Sequence, residues 1–98
     1  NLTGANLTRA NLRGADLTEA KLDRVDLSGA DLRQARLKAA SLARTDLSEA
    51  NLSRSDLSWA DLSRADLLRA DLSRAALIEA IAVGNVRALP TRKKKGER

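Results

Sequence analysis

The chain has 98 residues, and its 18 Lys and Arg against 13 Asp and Glu give a formal net charge of +5. It contains no His, Cys, Met, Phe or Tyr, and its one aromatic residue is Trp59. This composition excludes imidazole acid–base catalysis, thiol chemistry, soft-metal sites and disulfides. We therefore expect a protein that is not an enzyme and that uses no cofactor and no small-molecule substrate.

Leucine recurs at every fifth residue from Leu2 to Leu77, sixteen times without a gap. A small residue, usually Ala, stands two residues before each of the later leucines. On an α-helix, a step of five residues would place successive Leu side chains about 140° apart around the axis. On a flat strand, an odd period would send alternate Leu side chains to opposite faces. A backbone that turns one corner per repeat keeps every Leu on a common axis, so the pattern predicts a solenoid over residues 1–80.

Residues 5–9, 15–19 and 65–69 read A-N-L-T-R, A-D-L-T-E and A-D-L-L-R. This A-(D/N)-L-x-x pattern resembles the pentapeptide-repeat family over residues 1 to about 80. The resemblance implies an all-β fold, a right-handed quadrilateral β-helix of about four coils with four repeats in each coil. Because every central residue is Leu, where family members often carry a larger aromatic residue, we expect a narrow interior without a ligand cavity. The Asn and Asp side chains are expected to bond nearby backbone at the corners.

Residues twenty apart should stack in columns along such a helix. One predicted column holds Arg24, Arg44 and Arg64, and the next holds Asp26, Asp46 and Asp66. We expect these neighbouring columns to offset each other's like-charge repulsion. Successive sides of the solenoid carry net charges of +2, −2, +2 and −2, so residues 1–80 are neutral in sum. The family's best-known role, mimicry of DNA toward DNA gyrase, requires a continuous negative field, which this pattern does not provide.

The repeat ends after Ala80, where an apolar segment begins. Ile81, Ala82 and Val83 precede Gly84, and Pro90 closes the segment, so we predict a cap with a short helix within residues 81–90. Residues 91–98 are predicted to form a basic disordered tail. Its run Arg92, Lys93, Lys94 and Lys95 is a candidate contact for nucleic acid or an anionic membrane, although we favour a solvated tail.

Three outward apolar residues, Trp59, Leu68 and Ile78, are candidate contacts for a protein partner. For Trp59 we favour the simpler interpretation that the predicted cap folds back over its ring, with the partner contact as the alternative. Thr45 and Ser55 take the inward position of Ala, where their hydroxyls can bond a carbonyl, and no base accompanies either one. The sequence thus indicates no catalytic, cofactor or metal site.

These observations predict a rigid, non-catalytic scaffold or protein-interaction module that binds a protein partner or self-associates through its coil ends. The alternative is a protein that interacts with DNA gyrase or another topoisomerase, or that associates with nucleic acid through its basic tail. No Met precedes Asn1, so we expect a fragment or a processed product, with the first coil stacked on another copy or on an upstream domain. No apolar run approaches the roughly 20 residues of a membrane span and no leader opens the chain, so we expect a cytoplasmic location.

Overall fold

The backbone winds through four successive coils of twenty residues each. The computed structural model describes residues 1–80, in which residues twenty apart are joined by single-residue parallel β-bridges. One column of bridges runs from Asn6 to Asp26, from Asp26 to Asp46 and from Asp46 to Asp66. Within residues 1–80 these isolated bridges take the place of extended strands, and no helix occurs. The predicted twenty-residue period is therefore confirmed.

Hydrogen bonds between coils recur in each pentapeptide. The N–H of Leu7 donates to the carbonyl of Asp26 at 2.8 Å, and the N–H of Arg9 donates to the carbonyl of Ser28 at 2.9 Å. In the opposite direction, the N–H of Asp26 donates to the carbonyl of Ala5 at 3.0 Å. Each coil is thus bonded to the next on all four sides, as stacked repeats require, because a single repeat cannot bury its own apolar surface.

A four-residue turn begins at every Leu. The N–H of the small residue three positions later donates to the Leu carbonyl, at distances from 2.9 to 3.2 Å. The third residue of each turn is left-handed, with φ from 56° at Glu79 to 76° at Gly4. A type II turn requires a positive φ at its third residue and at no other. Glycine fills this position in three turns, at Gly4, Gly14 and Gly29. The other thirteen turns hold a residue with a side chain, for which the left-handed conformation is unfavourable.

The core is a stack of leucines in the middle of the molecule. The leucines from Leu22 to Leu67 are at most 1% exposed, whereas Leu2 is 41% exposed. Toward the two ends of residues 1–80 the leucines are only partly buried; they are Leu7, Leu12, Leu17, Leu72 and Leu77. Every fifth side chain therefore points to one axis, as predicted.

Two polar side chains enter this core. The hydroxyl of Thr45 donates to the carbonyl of Leu42 at 2.8 Å, and that of Ser55 donates to the carbonyl of Leu52 at 2.7 Å. Each carbonyl is the one that also closes the turn, so both hydroxyls are bonded without disturbing the coil. Both inward hydroxyls are therefore structural groups, as predicted.

The predicted cap at residues 81–90 and the predicted basic tail at residues 91–98, with Arg92, Lys93, Lys94 and Lys95, lie outside the described residues. Within residues 1–80 there is no helix long and apolar enough to cross a membrane.

Candidate functional site

Trp59 and Ile78 form an exposed apolar pair on the outer surface. Trp59 occupies the third position of its turn, with φ 59°, and its side chain is 49% exposed. The backbone N–H of Trp59 donates to the backbone carbonyl of Ile78 in the next coil at 2.8 Å. Ile78 is 63% exposed. The solenoid thus joins two exposed apolar residues of consecutive coils through their backbones.

Lys38, from the coil before, completes this surface. Its ammonium nitrogen lies 5.1 Å from the centroid of the Trp59 ring, within the range of a cation–π interaction. Ala39, one coil before Trp59 in the same column, is too small to compete for that space. Lys38 was not among the residues predicted from the sequence. It precedes Trp59 by one coil and one residue, and this spacing could have indicated that the two residues are neighbours.

Leu68, the third predicted contact residue, lies elsewhere. Ten residues, or half a coil, separate it from Ile78, and its carbonyl accepts from the N–H of Glu49 rather than from the turn of Trp59. Leu68 is also half-buried, whereas Trp59 and Ile78 are exposed. The structure therefore brings together two of the three predicted contact residues and separates the third. We call the surface formed by Lys38, Trp59 and Ile78 the tryptophan face.

The Asn and Asp side chains that precede the leucines cap the turns. Wherever Asn or Asp occupies this position in residues 1–80, its Oδ1 accepts from the backbone N–H two residues later, which confirms the predicted corner bonds. The twelve capping residues are Asn1, Asn6, Asn11, Asp16, Asp26, Asp31, Asp46, Asn51, Asp56, Asp61, Asp66 and Asp71. In several turns the Ser or Thr hydroxyl donates to the same oxygen, as at Asp26 and Ser28, 2.7 Å apart.

These bonds stabilise the ionised carboxylates. The Ser28 hydroxyl, followed by the Ser28 N–H, lowers the pKa of Asp26, and the Thr18 and Ser73 hydroxyls lower those of Asp16 and Asp71. The bond from the Arg33 guanidinium lowers the pKa of Asp31 to about 2. A lowered carboxyl pKa fits a structural acceptor and not a general acid, which needs a raised one.

For Arg24 with Asp26 and for Arg44 with Asp46, the predicted neutralisation between the arginine and aspartate columns does not take the form of ion pairs. Arg24 and Asp26 make no salt bridge, because the carboxylate faces its own turn. Within residues 1–80, ion pairs join Arg33 to Asp31 in one repeat at 2.6 Å, and Arg69 to Glu49 between coils at 3.8 Å. The second pair is largely exposed, so it contributes little to stability.

The described residues contain no group of three or more Asp or Glu side chains placed to hold a metal ion. In the same residues, every buried side-chain nitrogen and oxygen has a hydrogen-bond partner. What residues 1–80 offer a partner is therefore their exposed surface, including the tryptophan face.

Comparison with known proteins identifies the repeat. A family model described as pentapeptide repeats matches at residues 1–38, 30–69, 40–77 and 55–84. The chain belongs to the pentapeptide-repeat family. A search of the curated proteins finds no significant match.

Two solved pentapeptide-repeat structures are similar to this chain. One, from the thylakoid lumen of Arabidopsis thaliana, has a TM-score of 0.85 and 32% identity and covers 87% of this chain and 59% of its own. The other, Rfr23 from the cyanobacterium Cyanothece 51142, has a TM-score of 0.51 and 29% identity and covers 81% of this chain and 61% of its own. The chain thus spans about three fifths of each. Pentapeptide-repeat proteins form quadrilateral β-helices, and the four turns per twenty-residue coil found here agree with that architecture.

Proposed function

We propose that this chain is a right-handed quadrilateral β-helix that acts as a rigid, non-catalytic scaffold and binds a protein partner through the tryptophan face. The observation that carries the proposal is Trp59 itself. Trp59 is half exposed and lies outside the leucine core, and its backbone holds a left-handed conformation that costs about 1–2 kcal/mol for a residue other than glycine. A large aromatic residue kept in solvent under these conditions is typical of a binding contact.

The surroundings of Trp59 support an interface. Ile78 extends the apolar surface into the next coil, and Lys38 adds a charge at its edge. Tryptophan is among the residues that contribute most to binding free energy when a partner covers them, because they remove a large apolar area from water. The hydrogen bonds on both sides of each coil hold this surface in place before binding, which lowers the entropic cost of association.

The charge distribution favours a protein partner over mimicry of DNA. Successive sides of residues 1–80 alternate between +2 and −2, so no side presents the continuous negative field that would compete with duplex DNA. Association with nucleic acid through the tail Arg92 to Lys95 stays a prediction. It requires salt-dependent DNA binding that is lost on removal of residues 91–98. The cytoplasmic location also stays a prediction, and the Arabidopsis relative comes from the thylakoid lumen.

Affinity capture from the native host, followed by titration of the partner it identifies, tests the proposal. Trp59→Ala and Ile78→Ser should each weaken partner binding about 10-fold or more, whereas Leu68→Ser, half a coil away, should leave it unchanged. Circular dichroism of each variant verifies that the coils are intact. Partner binding that survives both changes on the tryptophan face would refute the proposal.

A chain without residues 81–98 resolves the remaining alternative. If the C-terminal segment covers Trp59, its removal shifts the fluorescence of Trp59 and increases partner binding. If Trp59 is open to the partner, fluorescence and binding are the same with and without the segment.

A further inference from the structure

A second surface lies on one of the two basic sides of the solenoid. Thr3, Asp23, Arg24, Ala43 and Arg44 line a groove of about 480 Å³ that crosses the first three coils. This groove is separate from the tryptophan face, whose residues belong to a different side of each coil. Thr3, Asp23 and Ala43 occupy the second position of their turns, and Arg24 and Arg44 the third.

Two backbone donors in this groove are uncapped. Asn or Asp caps the corresponding N–H in twelve of the sixteen repeats, but Lys21 and Ser41 occupy the capping position here. As a result, the N–H groups of Asp23 and Ala43 have no acceptor within the described residues. They lie in consecutive coils of one column, so they are about 4.8 Å apart. Backbone N–H groups without an acceptor are donors that an anion can use.

The charges around the groove favour an anion. Arg24 and Arg44 flank the two donors, and neither forms a salt bridge within residues 1–80. Arg64 continues their column into the fourth coil, and Lys21 adds a further positive charge on the same side. Asp23 is the one carboxylate that lines the groove, and it opposes an anion there.

We propose that this groove binds a phosphate-class oxyanion, with the N–H groups of Asp23 and Ala43 and the guanidinium groups of Arg24 and Arg44 as its donors. A phosphoryl group presents several oxygens and can accept from two neighbouring coils at once, while the arginines bond it in the bidentate manner that suits phosphate. A diphosphate would offer further oxygens along the arginine column, since the groove is lined by residues of three coils. We call this surface the anion groove.

Titration of the 98-residue chain with sodium pyrophosphate, followed by ¹H–¹⁵N NMR at low salt, tests the proposal. The amide signals of Asp23 and Ala43 should shift more than all others, and binding should weaken as salt is raised. Sodium acetate at equal ionic strength should leave both signals in place. Asp23→Asn, which removes the opposing carboxylate, should tighten pyrophosphate binding.

One pair of variants separates backbone recognition from general charge attraction. Ser41→Asn leaves the net charge unchanged but restores the cap on the Ala43 N–H, so pyrophosphate binding should weaken about 5-fold or more. Ala76→Asn makes the same addition in another column and should leave binding unchanged. Arg44→Gln should weaken binding, whereas Arg74→Gln, at the same turn position on a different side, should not.

The proposal is overturned by any of three results. The first is the absence of a shift at Asp23 and Ala43 in the unaltered protein. The second is a shift spread equally over the other basic side, at Arg13, Arg33 and Arg54, which would indicate non-specific attraction. The third is pyrophosphate binding by Ser41→Asn as tight as that of the unaltered protein, with the coils verified by circular dichroism.

Discussion

The ammonium nitrogen of Lys38 lies 5.1 Å from the centroid of the Trp59 ring, so a side chain of the second coil contacts an aromatic residue of the third. Both residues are exposed, and a cation–π pair at such a site contributes about 0.5–1 kcal/mol. The contact fixes the position of one side of the ring and leaves the other side available.

Replacing Lys38 tests this contact. Lys38→Met keeps the length of the side chain and removes its charge, so we expect an altered fluorescence emission of Trp59 and a loss of unfolding free energy no greater than about 1 kcal/mol. Lys38→Arg retains a cation and should preserve the emission. Emission that is identical in Lys38→Met and the unaltered protein would show that the ammonium group does not lie over the ring in solution.

The position of a leucine in the stack determines what its loss costs. Leu47 has no exposed surface, and its substitution by Ala should lower the free energy of unfolding by about 2–5 kcal/mol, since the coils before and after it keep a cavity open. Leu2→Ala should lower the free energy of unfolding by less than about 1 kcal/mol, because Leu2 is already 41% exposed. Urea unfolding measures both losses. Equal losses for Leu2→Ala and Leu47→Ala would contradict a core centred on the middle coils.

The left-handed turns make glycine substitutions informative. Gly14→Ala, at φ 71°, meets no atom within 4 Å, so its cost should be that of the backbone alone, about 1 kcal/mol. Gly29→Ala, at φ 68°, should cost slightly more, because its Cβ would lie 3.2 Å from Cγ of Arg9. Ala39→Gly, at φ 58°, is the reverse change and should raise the thermal midpoint. A lowered midpoint for Ala39→Gly would refute this account of the turns.

Acid should weaken the fold through the capping carboxylates. Bonds from Arg33 lower the folded-state pKa of Asp31 to about 2, below an unfolded value of about 3.9, so the ionised carboxylate favours folding. This contribution is complete above about pH 4 and is lost as the pH falls to 2. Unfolding free energy measured across that range should therefore decline. Asp31→Asn keeps the Oδ1 acceptor without titrating, so its decline should be shallower, and equal slopes would contradict the assignment.

The period of the fold could be predicted from the sequence because it depends on a local rule. A Leu at every fifth residue and a small residue two positions earlier specify one inward face and one turn per repeat, as at Leu52 and Ala50. The caps followed from the same rule, since the bond from Ser28 to Asp26 joins residues only two apart. The inward hydroxyls of Thr45 and Ser55 could be assigned for the same reason.

The candidate surfaces were harder to predict because they depend on side-chain direction between coils. The charge columns suggested pairing of Arg24 with Asp26, but the shorter bond from Ser28 holds that carboxylate. The contact of Lys38 with Trp59 joins residues of different coils and depends on rotamers that no spacing rule specifies. Leu68 was grouped with Ile78 for its hydrophobicity, although a separation of half a coil already placed it on another side.

The bridges join residues twenty apart, so the outer surface repeats every twenty residues while the interior repeats every five. Insertion or loss of five residues would keep every Leu inward yet shift all later outward residues by a quarter of a coil, so Arg44 would no longer follow Arg24. Insertion or loss of twenty residues would preserve both. Duplication in units of one whole coil therefore lengthens such a protein without scrambling its surfaces, whereas shorter duplications create new ones on an unchanged interior.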